Sequence, residues 1–336
     1  MPKEAPLTSS ELATLWVVYQ KKTMMVGVIG YFLTHCKDPE ARKLLQSFEK
    51  GEREFVREMT SILLKEGAAV PIGFTENDVI QDAPQLFDDI FEIMYLRTMM
   101  KVASGIHALH ISMSYRKDIM ELYKKFTRYA EEYCKKTTQF LIEKKVLPKS
   151  PYMNYPHHVE FAEDKDYRAG IKLMGHKRSL NAVEVAYIYQ SIESNIAGMK
   201  LMTGFSQVSR DKDFQQYFFR GKELSKGIIE KYSNVLIDSD ISIPSTSAGR
   251  VTNSTMPPFS NKLMMYNTSL LSSFGLGSSA IGTAFSLRKD LPIKMIGTAK
   301  EILDFASDGG DLMIEHGLME EPPQMEDRTR LTKGQS

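Results

Sequence analysis

Glu52, Glu58, His107 and His110 are the side chains of this sequence whose types could build a metal centre. A paired iron or manganese site in a four-helix bundle takes a Glu from each of two helices. It takes a Glu-x-x-His from each of the other two, all facing inward. The sequence falls short of that set. No Asp or Glu lies between Leu12 and Cys36, and none of Glu49, Glu52, Glu54 and Glu58 has a histidine three residues on. His107-x-x-His110 puts two imidazoles on one helical face, without the glutamate that the pattern needs. These four residues are therefore weak ligand candidates. The expectation is that no metal is held and that no cofactor is implied.

Other chemistry finds less support. Glu11 and Glu184 are a tempting acidic pair, but Thr8-x-x-Glu11 and Asn181-x-x-Glu184 have capping-box spacing, so all four read as helix caps. Arg116-Lys117-Asp118 and Arg288-Lys289-Asp290 read as solvated hairpins in which the aspartate caps a helix, with an anion or partner site as the alternative. His157-His158 lacks a third ligand. Glu76-Asn77-Asp78 lacks the glycine and terminal glutamate of a calcium loop. Cys36 and Cys134 sit in no nucleophile setting, and no phosphate-binding glycine loop follows a strand. No catalytic residue is named.

The elements that must position these residues are written twice. Leu7 to Trp16 returns as Leu180 to Tyr189, a shift of 173 that still holds between Pro71 and Pro244. Ser114-Tyr115-Arg116-Lys117-Asp118 returns as Ser286-Leu287-Arg288-Lys289-Asp290 at a shift of 172, as Pro151 does at Pro323. One net deletion implies one fold, duplicated. The repeat also filters function. Glu52, His107 and His110 face Ser225, Ser279 and Gly282 in the second copy, and Cys36 and Cys134 face Ser209 and Ala306. Whatever is specific must lie in one copy or in the seam between them.

Apolar residues recur at helical spacing from Leu12 to Phe32 and from Leu44 to Leu63. A third helix is expected from near Pro84, and a fourth after the Tyr115-Arg116-Lys117 hairpin. Each helix runs to roughly 28 residues, or about 42 Å. Gly67 is expected to cap the second. The first and second helices, and the third and fourth, are joined by short turns. The middle connection of about 17 residues is long enough to travel back along the bundle. Two hairpins joined by a long crossover is a ferritin-like arrangement. The expected fold is all-α, a tandem ferritin-like four-helix bundle. Residues 1–148 form the first bundle, 149–179 an aromatic and proline-rich linker that packs on the bundles, 180–323 the second bundle and 324–336 a disordered tail.

Composition narrows the partners. A net charge of +1 with no basic stripe argues against nucleic acid, and two cysteines without counterparts suit a reducing compartment. Leu263 to Leu287 carries no charge, but its hydroxyls suit a buried helix better than a membrane span. The N-terminus has no apolar signal segment, so synthesis in the cytoplasm is expected. Gly275, Gly277 and Gly282 line one helix and suggest an interface between bundles or chains. Twenty methionines supply adaptable apolar surface. Protein partners or self-association are therefore expected.

Several strings carry a resemblance. Ala5 to Glu11, Gly73 to Val79, Asp82-Ala83-Pro84 and Pro257 to Met265 resemble an uncharacterised family of endospore-forming bacteria whose members look like tandem ferritin-like bundles and are similar to spore-coat proteins. The resemblance covers nearly the whole chain. It implies the fold and a setting in sporulation or the spore coat, and it brings no catalytic residues. Three functions stay open: a non-catalytic structural or interaction protein, a ferritin-like redox enzyme with a degenerate metal site, and a carrier of an apolar ligand.

Overall fold

Helix caps written into the sequence set where most elements begin. The computed structural model describes residues 5–169, 178–244 and 249–332. The first copy holds α1 (Ser9–His35), α2 (Pro39–Lys65), α3 (Asp89–Ser112) and α4 (Lys117–Glu143). The second holds α5 (Ala182–Val208), α6 (Lys212–Ile237), α7 (Asn261–Phe285) and α8 (Asp290–Glu315), followed by the short α9 (Arg328–Thr332). Among the described residues there is no strand, and the fold is an all-α tandem of helical bundles. Sequential helices pack as pairs: α1 with α2, α3 with α4, α5 with α6, and α7 with α8.

Thr8 and Asn181 accept the N–H groups of Glu11 and Glu184, whose carboxylates return to the cap backbone. Asp38, Asp88, Asp211 and Ser260 cap α2, α3, α6 and α7 by accepting first-turn N–H groups, without a returning carboxylate. α2 and α8 end on left-handed glycines, Gly67 (φ 70°) and Gly317 (φ 63°). The equivalent residues after α6 and α4 are Asp240 (φ 55°) and Lys145 (φ 59°), which adopt the same turn with a Cβ.

The third helix starts at Asp89, not near Pro84. The residues before it stay extended because they pair with the other copy. Val79 bridges Phe259 and Phe87 bridges Val251, both antiparallel. Ile80 N–H donates to Pro258 C=O (2.8 Å) and Thr252 N–H to Leu86 C=O (2.9 Å). Asp88 N–H donates to Arg250 C=O (3.0 Å) and Ser260 N–H to Asp78 C=O (2.9 Å). A shift of 172 converts each contact into its mate. The two crossovers therefore meet as an isologous pair, the relation found across a two-fold dimer, inside one chain.

The core follows that symmetry. Phe87 meets Phe32 edge-on at 6.5 Å, and Phe259 meets Phe205 at 6.4 Å. Each ring also crosses the seam, Phe87 to Phe205 and Phe259 to Tyr31. A Cβ on Gly204 would lie 2.5 Å from the Phe87 ring, so this position needs glycine. One apolar cluster runs through both bundles, and a second, around Leu15, Met59, Ile119 and Phe126, fills part of the first bundle alone. Arg97 and Lys101 of α3 pair with Glu193 of α5 across the seam.

Several expectations change. The linker aromatics do not pack: Tyr152, Tyr155 and Phe161 are 86–89% exposed, because residues 149–163 form no helix or strand that gives them a common face. Tyr167 is partly covered, with the Arg178 guanidinium 4.3 Å from its ring centre. Linker residues 170–177 lie outside the described residues. The tail holds α9, with 333–336 outside the described part. A Cβ at Gly275 would meet Ile302 of α8. One at Gly282 would meet Met295 of α8 and Tyr187 of α5, while Gly277 faces open space. The contacts between bundles described above are made by the crossovers and by α3 with α5. No described helix is long and apolar enough to cross a membrane.

Candidate functional sites in the first bundle

Inside the first bundle an ammonium group meets the carboxylate that points inward. Lys22 of α1 and Glu52 of α2 form an ion pair at 3.0 Å with side chains only 3% and 4% exposed. The Lys22 nitrogen lies 4.5 and 4.1 Å from the ring centres of Phe55 and Phe126, so aromatic faces complete its shell. Lys21 is also buried, and its nitrogen has no hydrogen-bond partner. Burial, then the Lys22 charge, brings Lys21 down to about 7.

The histidines sit beside these cations. Neither ring nitrogen of His107 makes a well-formed hydrogen bond, the Phe126 backbone being a weak polar neighbour. Burial, then Lys21 and Lys22, holds His107 well below the usual imidazole range. Burial and Lys21 bring His110 to about 4, with its ring edge-on to Tyr123. Both imidazoles are therefore neutral at pH 7. The structure brings Glu52 and His107 to one cavity of about 10 Å³ with Lys21, Lys22 and Tyr129. It leaves Glu58 outside, paired with Lys125 at 2.6 Å on the surface. Lys21 and Lys22 escape sequence reasoning because charged residues are normally solvated. Their one signal is their place between Tyr19 and Met24 on an otherwise apolar helix.

The second bundle differs at the same place. Ser194, Asn195 and Ser225 stand where Lys21, Lys22 and Glu52 stand in the first. Loss of three long charged side chains leaves a cavity of about 70 Å³, which they line with Thr268, Ser272 and Gly275.

A third cluster joins the α1–α2 turn to the start of α3. Donor atoms of Cys36, Asp89 and Glu92 lie within 4.8 Å of one another. Asp89 accepts the N–H groups of Lys37 (2.8 Å) and Asp38 (2.7 Å) through one oxygen. The Gln85 amide donates to Asp89 (3.1 Å) and to Glu92 (3.3 Å). Glu92 is fully buried, and its second oxygen has no partner. Burial pushes Glu92 up to about 9 against the Gln85 hydrogen bond, with Asp89 and Asp88 adding to the rise. Burial, then Asp89 and Glu92, pushes the Cys36 thiol up to about 12. In the sequence Asp89 and Glu92 look like ordinary acids of a first helical turn.

The duplicated motifs meet each other. Glu11 accepts the backbone N–H groups of Tyr115 (2.8 Å) and Arg116 (2.7 Å) as well as those of its own cap. Glu184 does the same with Leu287 (3.2 Å) and Arg288 (2.9 Å). The hairpins stay solvated at Tyr115, Lys117 and Lys289, but their arginines are not. Arg116 is 8% exposed and binds Asp118, Glu66 and the Ala5 carbonyl, while Arg288 is 3% exposed and binds Asp290 and the Arg178 carbonyl. Asp118 serves its arginine, and no side chain caps α4. His157 and His158 are exposed in the linker. Asp78 of the acidic loop accepts from Thr75 N–H (2.9 Å) and from the Ser260 hydroxyl (2.7 Å), so it fastens the crossover to the start of α7.

Comparison with known proteins adds a family and little chemistry. Residues 1–159 and 169–331 match a family model described as "Protein of unknown function (DUF3231)". No curated protein matches the chain. A solved structure described as a "putative spore coat protein" of Bacillus halodurans C-125 is similar at 14% identity and a TM-score of 0.41. It aligns over 45% of this chain and 98% of that one.

Proposed function

The chain belongs to the DUF3231 family, with one match per copy, and from that premise we propose that it is a non-catalytic structural or interaction protein. In this reading each copy is a ferritin-like four-helix bundle, and the setting is spore formation or the spore coat. The strings from Ala5 to Glu11, Gly73 to Val79 and Pro257 to Met265 support the setting by their resemblance to the spore-associated family.

The observation that carries the reading is Lys22. The protein's own ammonium neutralises Glu52 and lies between two aromatic rings. A buried carboxylate already paired with a lysine has lost most of its attraction for a second cation. The neighbouring charges, Lys21 and Lys22, also repel a metal from His107. The exposed aromatics Tyr152, Tyr155 and Phe161 are the surface this reading offers for protein contact.

Metal analysis of full-length protein purified without chelators tests the reading. Stoichiometric iron or manganese that disappears in Glu52→Gln and His107→Gln would overturn it; iron and manganese below a tenth of an equivalent, by the order of magnitude that separates a site from contamination, is expected. The carrier reading needs a cavity inside a bundle, and the one in the second bundle, about 70 Å³, is well below the roughly 300 Å³ at which small-molecule pockets begin. The larger clefts, about 320 and 350 Å³, lie where α1 and α2 meet the first crossover, and the Arg53, Thr23 and Thr75 side chains that line both make them partly polar. The setting is tested by following the protein through growth and sporulation. Accumulation during sporulation and recovery from spores are expected, and equal amounts in growing cells with none in spores reject it.

A further inference from the structure

We infer that Cys36, Asp89 and Glu92 form a binding site for one divalent ion of the zinc class, which ties the α1–α2 turn to the start of α3. The three donor atoms lie within 4.8 Å of one another, close enough for one ion to reach all of them after small adjustments. Glu92 provides an independent pointer. It is fully buried, and one carboxylate oxygen lacks any partner. A buried acceptor left bare is costly, so such an atom in a packed core signals something that it binds.

The donor set selects the ion. A thiolate is a poor ligand for magnesium or calcium, whereas one sulfur with carboxylate oxygens suits zinc and its cobalt substitute. Binding replaces the protons of the Cys36 thiol and of the Glu92 carboxyl, which leave to solvent. Gln85 is a positioning residue, because its amide holds both carboxylates by hydrogen bonds.

The second copy supplies an internal contrast. Ser209, Asn261 and Met264 occupy the three equivalent positions. Ser209 donates to the Asp211 carbonyl as Cys36 does to the Asp38 carbonyl. The turn therefore folds with serine in place of cysteine, and Cys36→Ser is a clean variant. The site belongs to the first copy alone and is independent of the scaffold reading, which falls on iron or manganese at Glu52 rather than on zinc here.

The test is titration of the full-length, chelator-treated protein with cobalt(II) and then zinc(II). One equivalent of cobalt per chain is expected, with a sulfur-to-cobalt charge-transfer absorption that zinc abolishes. Cys36→Ser loses that absorption and binds zinc at least about tenfold more weakly, as does Glu92→Gln. Cys134→Ser keeps the wild-type signal. Zinc raises the melting temperature of the wild type but not of Cys36→Ser, and both melt alike without metal. Absence of stoichiometric binding overturns the inference. So does binding unchanged in Cys36→Ser and Glu92→Gln, including binding lost only when His157 and His158 are replaced.

Discussion

The Glu11 carboxylate accepts the backbone N–H of Arg116 at 2.7 Å, and Glu184 repeats that contact with Arg288 at 2.9 Å. A residue that caps its own helix thus also closes the far hairpin of the same bundle, across more than a hundred residues of chain. Two motifs that look unrelated along the sequence are retained together because each is the other's hydrogen-bond partner.

Removing that carboxylate should cost more than removing the cap. Glu11→Ala strands several buried N–H groups and should lower unfolding stability by about 3 kcal/mol, against about 1 kcal/mol for Thr8→Ala. Burial alone would raise Glu11, but the hydrogen bonds from Arg116, Thr8 and Tyr115 outweigh it and hold the carboxyl below its ordinary 4.5. Its contribution is fully present above pH 4.5 and is lost as pH falls through the depressed folded value. Denaturant melts at pH 7 and pH 3 check this: the Glu11→Ala deficit should shrink at the lower pH.

Lys21→Met should stabilise the protein. Below pH 7 the folded and unfolded chains both keep the lysine proton, and the folded chain carries a buried, unpartnered charge. Between about 7 and 10.5 the folded chain sheds the proton first, so the wild type recovers stability as pH rises. The gain from Lys21→Met is on the order of a few kcal/mol at pH 6 and should be clearly smaller at pH 9. A gain that does not vary with pH would show that Lys21 is not buried as a charge.

The Lys22–Glu52 pair should behave as a unit. Lys22→Met or Glu52→Leu alone leaves a buried charge without its mate and should cost about 3–5 kcal/mol. The double variant should return to within about 2 kcal/mol of the wild type, since a buried ion pair replaced by apolar groups is often nearly neutral. A double-mutant cycle by chemical denaturation reads the coupling. Additive losses would count against the pair.

Lys145→Gly should raise stability. Lys145 holds φ at 59°, a conformation that costs a residue with a Cβ about 1 kcal/mol relative to glycine. Glycine occupies the same position in the second copy, at Gly317. A gain of about 0.5–1 kcal/mol in thermal or denaturant melts is expected, and a loss would place the strain elsewhere.

Local chemistry made much of this protein legible in its sequence. Capping boxes, proline stops and apolar spacing are interactions among neighbours, so they made most helices of the first bundle legible, and the repeat carried them to the second. The exceptions are α3 and, through the repeat, its mate α7. Their starts are set by the pairing of residues 78–88 with 250–260, a contact between segments with no local signature. The same reason hid the sites. A lysine reads alike in sequence whether it is solvated or, like Lys22, enclosed by two phenylalanines. Cys36 meets Asp89 and Glu92 only when the α1–α2 turn closes on the start of α3. The sequence by itself determined the helices, their duplication and the absence of a complete carboxylate–histidine ligand set. Tertiary structure decided which charges are buried and with whom, because burial depends on neighbours brought from distant parts of the chain, and desolvation makes those few charges energetically decisive.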